Sequence, residues 1–322
     1  VDNTELELIR ASMRNLLEGS KPADVPKELI ELGWVDILEA EPAVAVGFLA
    51  EEQGRTLATS PALDLAMLHG AGLPIDATTA WVLPPMARSF VFPGTSRVDQ
   101  LHVEGLVMAG SERAERFLVA TTHGIVAAPA TSIMLTPVTG FDPNLGLQRA
   151  RGTAKLALTT LAADGTAWTR ALAAGRRSLA AEMIGLADQM LADTIGYVTQ
   201  REQFGRAIAS FQTVKHRLAD VHVAISAAQA ALIAAWEDET AVSAMGAKCL
   251  AARAHKLAST HGQQVHGGIA FTVEHGFHRF IQRGHLLDDL LGQADDLVRE
   301  IGKHIVENNV VPRTPGLIRP GA

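Results

Sequence analysis

Three textures of apolar and polar positions follow one another along the 322 residues. From residue 1 to 76 apolar side chains recur at helical spacing, as in Leu6, Ile9, Met13 and Leu16, and Pro22, Pro26 and Pro42 punctuate the stretch beyond them. That spacing predicts an N-terminal helical domain. From 77 to 163 the apolar runs are short and rich in β-formers: Ala80-Trp-Val-Leu, Ser89-Phe-Val-Phe, Gln100-Leu-His-Val, Arg116-Phe-Leu-Val and Ser132-Ile-Met-Leu. Pro84-Pro85, Pro93-Gly94, Gly105, Gly110, Gly124, Pro137 and Gly140 break them, which predicts a small antiparallel β domain. From 164 to 312 helical spacing returns. Leu172, Leu179, Met183, Leu186 and Met190 predict a long helix with one apolar stripe. Similar stripes over 211–236, 241–265 and 284–308 complete a C-terminal four-helix bundle. Residues 313–322 read as a proline-marked tail. The expected fold is mainly α with a small β domain, an α+β class.

Composition narrows this only a little. With 48% apolar and 20% charged residues the chain is ordinary globular protein, and a net charge of −7 gives no bulk attraction to nucleic acid or anionic lipid. One cysteine, Cys249, excludes an intrachain disulfide framework and a cysteine-rich metal cluster, and fits a reducing cytosol. Residues 1–20 are charged and amphipathic without an apolar signal core, and no uncharged apolar run reaches spanning length. The chain is therefore expected to be cytoplasmic, with neither nucleic acid nor membrane as a partner.

Candidate chemistry sits in two segments: Arg201-Glu-Gln-Phe-Gly-Arg-Ala-Ile-Ala-Ser-Phe-Gln212 and Gln264-Val-His-Gly-Gly-Ile-Ala-Phe271. Each combines planar guanidinium or amide donors with glycines that clear space, which suits an anionic, ring-bearing ligand such as a dinucleotide. Blander readings exist: Arg201 paired with Glu202 or Asp220 on a helix surface, and Gly267-Gly268 as a helix C-cap. His266, His275, His278 and His285 cluster in one stretch, but no acid or cysteine completes a ligand set, so no metal is expected. Trp81 and Trp168 border predicted elements and read as core anchors.

Together these motifs and the order of textures resemble the acyl-CoA dehydrogenase family of flavoproteins, most clearly over 166–292. The resemblance implies that Arg201, Gln203, Phe204, Gln212, Gln264, Gly267 and Gly268 reach the ADP half of an FAD held by a neighbouring subunit. Two departures accompany it. Residues 77–163 contain neither the Thr-Glu-Pro-x-x-Gly-Ser segment nor the Trp-Ile-Thr strand with which family members bind flavin and thioester. The family's catalytic base is a glutamate that removes the α-proton while the flavin takes the β-hydride. Its two usual positions fall here on Leu291 and Gly175, neither of which can accept a proton. Asp288, three residues before Leu291 and on the same face of an expected helix, is the nearest substitute. A chain that keeps the FAD-contact motifs and lacks the base is similar to the reduced subunit of actinobacterial α2β2 steroid-type acyl-CoA dehydrogenases. Such a subunit is inactive alone and shares FAD with a related full-length partner, which supplies the base; together they desaturate a steroid-derived acyl-CoA. The alternatives are a homomeric flavoenzyme whose base is Asp288 or another acid, or a flavin-free assembly scaffold.

Overall fold

The computed structural model describes residues 3–86, 90–155, 160–162 and 165–309; Ser89 and the tail beyond 309 lie outside them. The N-terminal part is five helices: α1 (Asn3–Gly19), α2 (Val25–Glu31), α3 (Trp34–Ala40), α4 (Pro42–Thr56) and α5 (Ala62–Ala71). Prolines open α2 and α4, where a missing N–H costs nothing, and α5 ends on left-handed Gly72. Met13, Leu29, Trp34, Leu38, Leu49 and Leu65 form the core of this part. Arg10 and Arg14 tie α1 to the buried Glu52 on α4.

Among the described residues the middle part holds eight strands: β1 (Thr79–Val82), β2 (Gly94–Arg97), β3 (Gln100–Val107), β4 (Arg116–Thr121), β5 (Gly124–Pro129), β6 (Ile133–Pro137), β7 (Gln148–Lys155) and β8 (Thr160–Ala162). They make two four-stranded sheets, ordered β1-β4-β5-β8 and β2-β3-β7-β6. One expectation is corrected: β1 runs parallel to β4, so the sheets are not purely antiparallel. β1 comes straight from the helical part and takes the free edge beside β4, with no hairpin to fix its direction. The run at Phe90–Phe92 is not a strand; Phe90 and Val91 are more than half exposed. Trp81 and Trp168 are buried with ring centroids 5.6 Å apart, joining sheet to bundle.

The C-terminal part contains α6 (Gly165–Gln200), a two-stranded hairpin of β9 (Glu202–Gln203) and β10 (Arg206–Ala207), α7 (Gln212–Asp238), α8 (Ala241–His266), α9 (Phe277–Asp289) and α10 (Ala294–Asn308). Two details differ from the sequence reading. α6 carries no single stripe: every residue from Ala173 to Ala187 is buried, because α4, α5, α7, α8 and α9 surround it. Close approach is possible because Gly54 of α4 and Gly185 of α6 face each other's backbone, where any Cβ would collide with a carbonyl. The stripe over 284–308 is two helices, broken at Leu290–Gln293 where Leu291 (φ 55°) and Gly292 (φ 115°) are left-handed. Among the described helices α7 alone is long and apolar enough to cross a membrane by length and composition. It packs on α6 and α8, and 33% of its most apolar stretch is buried within the chain.

A buried carboxyl joins helices to sheet. Asp64 of α5 accepts the Trp81 backbone N–H at 2.9 Å through Oδ1, and Oδ2 has no partner among the described residues. Burial pushes its pKa up to about 7, with the Trp81 N–H pulling the other way. Its folded pKa exceeds an unfolded value of about 3.9, so its contribution is full below that value and is lost as pH rises from about 4 to 7. Glu51 and Glu182, raised by burial, act in the same direction. Asp64→Asn is expected to flatten part of this decline and to exceed the wild type at pH 8 by on the order of 2 kcal/mol. Urea unfolding at pH 5 and pH 8 measures it, and identical pH dependence in both proteins would refute the assignment.

Candidate functional site

The first motif begins where α6 ends. Arg201 N–H bonds Tyr197 O at 2.9 Å, and Ile208 N–H bonds Arg201 O at 2.8 Å, closing a hairpin whose tip is left-handed Phe204 (φ 55°) and Gly205 (φ 77°). A phenylalanine in that conformation is strained by about 1 kcal/mol or more. Its ring is 92% exposed, edge-on to Phe211 at 6.1 Å. Arg206 lies over Phe211 at 4.2 Å. Gln203 donates its amide to Glu202 O. Phe211 caps α7 without a side-chain bond, and the N–H groups of Gln212 and Thr213 have no partner among the described residues. Such an open helix start favours an anion. Arg201, Gln203 and Gln212 are exposed, and among the described residues no carboxylate forms a salt bridge with Arg201, so the expected alternative pairing with Glu202 or Asp220 is absent.

The second motif begins where α8 ends. Gly267 (φ 68°, ψ −143°) bonds its N–H to Gln263 O, so it is a C-cap, as the blander reading had it. Gly267 and Gly268 are exposed and a Cβ on either meets nothing of this chain within 4 Å. Gln264 is exposed on the last turn of α8. Because α6, α7 and α8 alternate in direction, the end of α6, the start of α7 and the end of α8 share one end of the bundle. Tyr197 stacks on His266 there at 4.5 Å, bringing the two motifs side by side. The sequence places His266 within the second motif as one of four clustered histidines and gives it no role at the site, and Tyr197 is not among the candidates. The available signal was a lone tyrosine one turn before Arg201 and a histidine directly before Gly267.

The two positions where a base would stand come together in the core. Leu291, 2% exposed, places Cδ1 2.6 Å from where a Cβ on Gly175 would lie, with Met67 on the same spot at 3.0 Å. The linker carrying Leu291 is held by two buried cations. Arg176 Nε donates to Leu291 O at 3.0 Å, and Lys248 Nζ donates to Asp288 O at 2.8 Å and Gly292 O at 2.5 Å. Burial pulls their pKa values down, to about 10 for Arg176 and about 8 for Lys248, which Asp288 partly restores. Asp288 does not share a helical face with Leu291, since α9 ends at Asp289. Its Oδ1 instead accepts Ala294 N–H at 3.0 Å and lies 3.8 Å from Lys248 Nζ. Among the described residues no group of three or more His, Cys, Asp or Glu is placed to hold a metal.

Comparison with known proteins shows the family and the fold. Residues 164–305 match the family model of the acyl-CoA dehydrogenase C-terminal domain. Acyl-CoA dehydrogenase IpdE2 of Mycobacterium tuberculosis (strain ATCC 25618 / H37Rv) is 32% identical over 278 residues, covering 86% of this chain and 81% of that protein. The Tcur3481-Tcur3483 steroid ACAD, a G363A variant, has the same fold, with TM-score 0.77 at 23% identity over 95% of this chain and 99% of that one. So does the ChsE4-ChsE5 complex from Mycobacterium tuberculosis, with TM-score 0.74 at 19% identity over 97% and 99%. With the fold shared along nearly its whole length and a third of its residues identical to IpdE2 over the aligned span, the chain belongs to the acyl-CoA dehydrogenase family.

Proposed function

We propose that this chain is the reduced, non-catalytic subunit of a heteromeric, FAD-dependent acyl-CoA dehydrogenase that introduces an α,β double bond into a steroid-derived acyl-CoA. The observation that carries the reading is the Leu291–Gly175 contact: an apolar side chain closes the place where a base would act, and two buried cations hold it there. The partner would be a related full-length dehydrogenase in an α2β2 assembly in the cytoplasm, contributing the glutamate. The paired steroid ACAD and the ChsE4-ChsE5 complex among its structural neighbours support a heteromer and the substrate class. Asp288 as a substitute base is disfavoured, because it is committed to the start of α10 and to Lys248.

The residues at the bundle end suit the ADP half of FAD. Arg201 is an exposed guanidinium without an ion-pair partner among the described residues, able to hold a pyrophosphate oxygen pair bidentately together with Gln203. Gln212, beside the open start of α7, and Gln264 offer amides to the nucleotide, and Phe204 offers an exposed ring face. Gly267 and Gly268 let it approach the backbone, since no side chain of this segment stands over them. When bound, the flavin would supply the hydride acceptor. This chain would bind and orient it, and would keep water and a competing base out of its own closed position.

Arg201→Glu is expected to lower FAD retention in the complex co-expressed with a full-length dehydrogenase by about a hundredfold, since two charge-assisted bonds become a repulsion. The flavin-to-protein ratio of the purified complex reads this. One FAD per pair of unlike chains is expected, and two per pair would contradict the shared site. Unchanged flavin content in the variant would favour a flavin-free scaffold.

A further inference from the structure

Tyr197, the chain's one tyrosine, lies one helical turn before Arg201, and His266 directly precedes Gly267. Their rings stack at 4.5 Å and 25°. Phe277 backs His266 at 4.7 Å, and His275 stands edge-on to both rings, 4.6 Å from His266 and 6.1 Å from Tyr197. His266 is 4% exposed, and its Nδ1 lies 2.9 Å from Gly262 O, which can only accept. The neutral ring therefore carries its proton on Nδ1, leaving Nε2 a buried lone pair without a donor among the described residues. Burial favours that neutral form, with His275 adding to it and Asp193 of α6 opposing. Hydrogen bonding thus fixes the orientation of the imidazole and leaves its face to Tyr197.

Beyond this pair both segments leave the helical path. On one side a short hairpin runs out to the strained, exposed Phe204; on the other the backbone turns through left-handed Gly267 into a 3-10 turn over 267–271. The buried face of α8 is rich in alanine (Ala247, Ala251, Ala254, Ala258), so large interlocking side chains are few along it. The stacked rings join the two segments near the point where each leaves its helix.

We infer that Tyr197 and His266 are positioning residues, an aromatic strut that sets the spacing between the hairpin bearing Arg201 and the turn bearing Gly267-Gly268. The inference rests on the proposed reading of those segments as two halves of one nucleotide site. The Tyr197 hydroxyl is 3.5 Å from His266 O, too far to contribute much, so the ring face carries the effect.

Hydrogen exchange of the full chain without flavin tests the strut independently of the cofactor. Tyr197→Leu is expected to speed amide exchange at 202–207 and at 267–271 together, by about five-fold, the worth of one aromatic pair. Tyr197→Phe is expected to leave both within about two-fold of the wild type. In the co-expressed complex the leucine variant should lose FAD on desalting and the phenylalanine variant should keep it. Faster exchange in only one segment, or equal behaviour of the two variants, would overturn the strut. A wild-type complex without any FAD would overturn the cofactor reading and leave the exchange result to decide the strut.

Discussion

Arg283→Leu is expected to destabilise the chain by about 3–5 kcal/mol, because it removes the cation that pairs with two buried carboxylates. Arg283, 1% exposed, donates Nε to Asp142 Oδ2 at 2.6 Å and a terminal nitrogen to Ala58 O at 2.9 Å. It also reaches Glu182 Oε1 at 3.4 Å and Thr59 Oγ1 at 3.2 Å. Gln53 Nε2 donates to the other Glu182 oxygen at 2.9 Å. Without the guanidinium two buried carboxylates face each other unneutralised; burial already raises Glu182, and Arg283 is what opposes it. Guanidinium-chloride unfolding measures the loss. A second variant separates charge from packing: adding Asp142→Leu and Glu182→Leu to Arg283→Leu should recover much of the stability. A loss under about 1 kcal/mol in the single variant would mean that the cluster is held some other way.

Lys248→Glu should have an effect of similar size. The ammonium is fully buried and joins two carbonyls that flank Leu291, with Asp288 at 3.8 Å. A carboxylate there would oppose the Asp288 and Gly292 oxygens and the nearby aspartate, at a cost of about 4 kcal/mol. Lys248→Met, which removes the donor and adds no charge, should cost about 2 kcal/mol. Both should open the 289–294 linker to limited proteolysis while the sheets keep their protection. Equal melting temperatures for the glutamate variant and the wild type would show that the linker needs no clamp.

The order helices, sheet, helices was legible because α1, α7 and α8 carry apolar spacing that survives local noise, and because β1, β3, β4 and β6 are rich in branched and aromatic residues. β7 was missed for a physical reason: of Gln148–Lys155 only Ala150 and Ala154 turn fully inward, too small a signal among charged neighbours. The parallel pairing of β1 with β4 is a tertiary choice that no local pattern encodes. The break between α9 and α10 was hidden because Leu290 and Leu291 continue the apolar stripe, leaving Gly292 as the only hint. The site divides the same way. The motif residues were visible in sequence, and the structure places them at one end of the bundle. The clamp was not, since lysine and arginine on helices read as surface. One trace existed: Lys248 falls in register with Ala244, Ala251 and His255, all buried on α8.

The all-round enclosure of α6 has a practical side. A helix with a bare flank can loosen by local fraying, but the stretch from Ala173 to Ala187 has no such flank. Exposing its amides requires packed neighbours among α4, α5, α7, α8 and α9 to move away, an opening that removes much of the main core. In a native-state exchange experiment these amides should therefore be the slowest in the chain and should share one rate. That rate reads the global opening equilibrium directly, and so provides an internal standard against which every variant can be scaled without adding denaturant.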